Sequence, residues 1–100
     1  MSDIEIGPEV ESSRGWSYEV SVFEGGRAHR YDVTLSYADY DLWSKGSVAP
    51  SKVVQRAFEF LLEREPASMI LSKFDCSVIR RYFPEVDTVL PAGAKGEPDG

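Results

Sequence analysis

His29 is the only histidine and Cys76 the only cysteine of the 100-residue chain, so the side chains best suited to metal and nucleophile chemistry occur once each. A lone imidazole excludes a multi-histidine metal site and leaves any nucleophile a single base. His29 falls on the apolar face of a strand pattern beside a turn, with no Ser or Cys motif and no orienting acid assigned to it. It reads as a structural or surface residue. Cys76 follows Asp75 at a helix start, where backbone N–H groups lower a thiol pKa and the adjacent carboxylate raises it; no motif surrounds it, and it reads as packed and inert. One cysteine also excludes an intramolecular disulfide and fits a reducing compartment.

Asp39 and Asp41 lie two apart, which turns them to different sides of a helix, and no EF-hand ligand series accompanies them. Gly25-Gly26 lacks the spacing of a phosphate-binding loop and reads as a hairpin turn. No catalytic residue, metal ligand or cofactor-binding residue emerges, so the expectation is a non-enzymatic chain without a cofactor.

Binding surfaces are the remaining candidates. Arg56, Arg80 and Arg81 lie in a succession of short helices that can be read as a helix-turn-helix, which makes a nucleic-acid-binding regulator the alternative reading. Against it stands a net charge of −6, which opposes phosphate backbones and anionic membranes alike. The hairpin aromatics Trp16, Tyr18, Tyr31 and Tyr37 could stack on bases, but they share the face a core requires. Phe60 widens a helical apolar stripe beyond what one neighbour can cover, Tyr82 and Phe83 lie near a chain end where little remains to bury them, and the three form the expected interaction surface.

The elements that position these residues can be read from periodicity. Trp16, Tyr18, Val20 and Val22 alternate with polar residues, as do Tyr31, Val33, Leu35 and Tyr37, giving two strands with one apolar face each. A two-residue Gly25-Gly26 turn sets Glu24 opposite Arg27 and, counting outward, Val22 opposite His29, Tyr18 opposite Val33 and Trp16 opposite Leu35. A short helix over 38–45 follows, capped by Gly46, and a main helix runs from Pro50 to near Glu65 with the stripe Val53, Val54, Ala57, Phe58, Leu61 and Leu62. Pro66 opens a third helical segment through Met69, Ile70, Leu71 and Phe74, with Asp75 capping a further turn that Pro84 stops.

The fold expectation is therefore α+β: a two-stranded antiparallel hairpin followed by three helices, β-β-α-α-α, able to complete a four-stranded sheet in a dimer. The segment Phe60-Leu61-Leu62-Glu63-Arg64-Glu65-Pro66, with Ile70-Leu71, Phe74-Asp75 and Val78-Ile79-Arg80-Arg81-Tyr82-Phe83-Pro84, resembles short uncharacterised prokaryotic α+β proteins that pair a hairpin with such helices. The resemblance covers about residues 16–86 and implies no activity, cofactor or catalytic residue.

Residues 1–14 read as a flexible acidic tail in which Asp3-Ile4-Glu5-Ile6 could add an edge strand, 15–90 as a single domain, and 91–100 as a disordered tail. Nothing resembles a signal peptide or a membrane span, so a cytoplasmic location off the membrane is expected. The expected function is a small protein-interaction or accessory and regulatory module, homodimeric or bound to an unidentified protein partner. A hairpin with two unpaired edges is marginal alone, and a second copy covers it most economically.

Overall fold

The computed structural model describes residues 3–45 and 48–96, with side chains through Pro91. Its centre is the hairpin of β2 (Gly15–Glu24) and β3 (Arg27–Ser36), antiparallel and in the expected register, with Trp16 opposite Leu35, Tyr18 opposite Val33 and Val22 opposite His29. Gly25 and Gly26 turn it with φ of 62° and 77°, the paired left-handed geometry of a primed turn. The inward set Tyr18, Val20, Val22, Tyr31, Val33 and Leu35 is buried.

The sheet corrects the expected β-β-α-α-α order. It has four strands within one chain, in the order β1-β2-β3-β4, so the hairpin is not two-stranded and needs no second copy to reach four. β1 (Asp3–Glu11) is the segment read as an acidic tail. It pairs antiparallel with β2, setting Ile4 against Val22 and Ile6 against Val20 before a bulge at Gly7-Pro8 shifts the register. The bulge brings Glu9 opposite Tyr18 and Glu11 opposite Trp16, and the two acids are met by hydroxyls: Tyr18 donates to Glu9 (2.5 Å) and Tyr37 to Glu11 (2.6 Å). β4 (Lys73–Asp75) pairs parallel to β3 at the other edge, with Phe74 beside Val33.

The helices cover the inward face of the sheet. α1 (Tyr37–Ser44) is capped by Ser36, whose hydroxyl accepts from the Asp39 N–H at 3.0 Å, and Lys45 closes it in the left-handed region; Gly46, expected as the cap, lies outside the described residues. α2 (Pro50–Leu62) starts on its proline and buries Val53, Val54, Ala57, Phe58, Phe60 and Leu61, the width the stripe implied. It ends three residues before Glu65. Residues 66–75 are not a helix: a 3-10 turn over Ala67–Met69 leads through an extended stretch into β4, because Pro66 and the close approach to β3 favour sheet pairing over a new helix. After a turn at Cys76–Val78 come α3 (Ile79–Tyr82) and α4 (Val86–Gly96), whose Val86 and Leu90 complete the core.

Candidate interaction surface

The three residues of the expected interaction surface differ in burial. Phe60 is only 3% exposed, its ring edge-on to Phe83 at 6.1 Å and covered by the Arg64 guanidinium at 3.6 Å, so it belongs to the core. Tyr82 on α3 is 66% exposed and Phe83 is half-buried. Both line an apolar groove with a cavity of about 190 Å³ between the end of α2, the 69–71 segment, β4 and α3. Met69 and Leu71, 68% and 52% exposed, line it as well.

These two were missed as surface residues because the run Met69-Ile70-Leu71 was read as helix, where it would spread around a cylinder. Met69 ends the 3-10 turn and the chain is extended from Ile70, so Ile70 is buried while Met69 before it and Leu71 after it are exposed. Three adjacent large apolar residues between serines were the available signal. Leu61, Ile70, Phe74 and Ile79 form the buried floor below them.

The three arginines of the alternative reading do not act together. Arg56 is half-buried on α2, and Arg81 is exposed on α3. Arg80 turns inward between α1 and α4: it donates to Asp39 at 2.8 Å and to both oxygens of Asp87 at 3.0 and 3.1 Å, above the Trp43 ring at 5.6 Å. Trp43 Nε1 also donates to Asp87 at 2.8 Å. Hydrogen bonds to Asp87 and Asp39 raise the Arg80 pKa further, and the same Arg80 bonds hold the Asp87 carboxyl below its usual range. This guanidinium is a clasp between helices, its charge matched by two carboxylates.

The residues that could have carried chemistry are equally accounted for. The Cys76 thiol is fully buried, and burial together with the Asp75 and Asp39 carboxylates pushes its pKa up, which makes it a poor nucleophile. Asp39 and Asp41 diverge, the first to Arg80 and the second to solvent. His29 is half-buried across from Val22. Among the described residues, no group of three or more His, Cys, Asp or Glu side chains is placed to hold a metal. Tyr18 and Tyr31 lie under the helices, and Trp16 is wedged edge-on between Tyr37 and Tyr40 at 4.8 and 5.1 Å, so the hairpin offers no exposed stacking platform.

No family model, curated protein or solved structure matches this chain. Among the described residues, no helix is long and apolar enough to cross a membrane.

Proposed function

We propose that the protein is a small interaction or accessory module, non-enzymatic, that works as a homodimer through the apolar groove beside β4. The observation that carries this reading is the exposure of Met69, Leu71 and Tyr82 around a groove whose floor is already apolar. Solvent contact with three such side chains in one place is unfavourable, and Met and Tyr are enriched where proteins meet. Within the chain β1 pairs along β2, β4 pairs with residues 32–34 of β3 and the core covers the α2 stripe, so a dimer is motivated by the groove, where exposed apolar side chains flank an apolar floor.

The nucleic-acid reading has no comparable support. Its central arginine, Arg80, is bound by Asp39 and Asp87. The whole chain also carries six net negative charges.

Sedimentation velocity tests the proposal. The wild-type protein is expected at twice the chain mass at micromolar concentration, with the dimer weakened in Tyr82→Asp, whose side chain is exposed and not needed for the core. A single monomeric species that does not change with concentration would refute it.

A further inference from the structure

The two edges of the sheet are built differently. β1 presents Asp3, Glu5, Glu9 and Glu11 along a strand broken by the Gly7-Pro8 bulge, so two such edges repel each other and cannot pair continuously. β4 has neither bulge nor proline, and its order of charges is plus, apolar, minus: Lys73, Phe74, Asp75. A strand with that order is complementary to its own antiparallel copy.

The hydrogen-bond phase of β4 agrees. Asp32 N–H donates to the Ser72 carbonyl at 2.8 Å, and Asp32 sits beside Lys73 in a parallel register. That phase turns the backbone groups of Phe74 toward β3 and those of Lys73 and Asp75 outward. Among the described residues, no further strand pairs with that edge.

We infer that two copies of the chain join β4 to β4, antiparallel about a two-fold axis at Phe74, through the backbone groups of Lys73 and Asp75. In this arrangement Phe74 faces its own copy as a non-hydrogen-bonded pair, and Lys73 of each chain lies opposite Asp75 of the other as a hydrogen-bonded pair. Four backbone hydrogen bonds form, two at each Lys73-to-Asp75 pairing, the Asp75 carbonyl using the lone pair that the following 3-10 turn leaves free, and the two four-stranded sheets become one of eight. On the outer face each lysine meets a carboxylate; beneath the sheet, the two grooves with Met69, Leu71 and Tyr82 come together about the same axis. Asp75 keeps its role as a cap: its carboxylate accepts from Ser77 N–H at 3.0 Å and from the Thr34 hydroxyl, leaving lone pairs for the lysine. The two-fold pairing uses β4 of both copies, and the β1 strands at the far ends of the joined sheet are acidic and bulged.

This assignment rests on the homodimer reading and names its contact, and a reciprocal charge swap separates the two. Lys73→Glu alone puts like charges opposite each other twice and is expected to weaken self-association by about tenfold or more. Asp75→Lys alone should do the same, and an equimolar mixture of the two variants should recover a dimer containing one of each. Should Asp75→Lys fail to fold for want of its cap, Lys73→Pro decides, because it removes an outward N–H that β3 does not use. Variants that dimerise as well as wild type would overturn the β4 contact while leaving the homodimer standing. A wild-type chain that stays monomeric would overturn both.

Discussion

Gly15 begins β2 so close to β3 that a Cβ there would lie 2.0 Å from the Leu35 carbonyl oxygen and 2.7 Å from the Ser36 Cα. Both atoms are backbone, so no rotamer relieves the contact and the hairpin itself must shift. Gly15→Ala should therefore cost about 2–3 kcal/mol, near the top of the common range, read as a lower urea midpoint. An unchanged midpoint would show that the start of β2 can move away from Leu35 and Ser36 at little cost. The Arg80 clasp makes a second residue-scale prediction. Arg80 holds Asp87 below the ordinary 3.8, and for Asp75 hydrogen bonds from Ser77 and Thr34 and the Arg80 charge outweigh the opposing effect of burial. A carboxyl whose pKa is lower folded than unfolded adds stability above about pH 4 and loses it as pH falls through the folded value. Stability should thus drop on acidification below about pH 4, and Asp87→Asn should flatten that slope while lowering stability at neutral pH. Identical slopes for the two proteins would exclude Asp87 as the source. The clasp was not legible in the sequence, because Asp39, Arg80 and Asp87 become neighbours only once α1, α3 and α4 have packed.

At the scale of elements, the hairpin was legible to the residue, since turn chemistry and alternation fix the same register independently. α2 was legible for a similar reason: its apolar stripe is long enough to show its period. Phe58 lies at the middle of that stripe, fully buried and in ring contact with Tyr31 at 5.2 Å and Phe74 at 5.9 Å. Phe58→Ala should cost about 3–5 kcal/mol at fixed protein concentration, and a smaller loss would mean that the surrounding rings collapse into the space. The two edge strands were less legible, β1 showing only the short Asp3-Ile4-Glu5-Ile6 alternation that could add an edge strand and β4 showing nothing, for different physical reasons. β1 keeps one alternation in the sequence, with Ile4, Ile6 and Val10 between the acids Asp3, Glu5, Glu9 and Glu11, but the bulge turns Val10 out to solvent, so only Ile4 and Ile6 pack on the core and the short apolar face is outweighed by the acids. β4 has three residues, too few for any period, and its pairing is decided by β3 from forty residues away. Because β1 is held by one neighbour and by hydroxyl contacts from Tyr18 and Tyr37, its amides should exchange with deuterium faster than those of β2 and β3. Equal protection across the three strands would contradict this ranking.

Across the whole molecule, charge and apolar surface are unevenly divided. The first fifty residues carry nine Asp or Glu against four Lys or Arg, and they supply the β1 edge and the open face of the sheet. The second half is nearly balanced and holds the exposed Met69, Leu71 and Tyr82. On the proposed reading, repulsion leaves the β1 side unpaired and the second half of the chain supplies the surface that associates. Tyr82 was readable from sequence as a residue without cover, and with Phe83 it lines the groove. Phe60 was not, because a wide helical stripe cannot show which of its residues a later element will cover. The most direct measurement is a filtered NOE experiment on an equimolar mixture of isotope-labelled and unlabelled protein, which reports only protons that touch across two copies. Contacts between copies are expected from Phe74, Met69, Leu71 and Tyr82, and none from β1. Spectra without any intermolecular contact at concentrations near a millimolar, or with contacts confined to β1, would contradict the account.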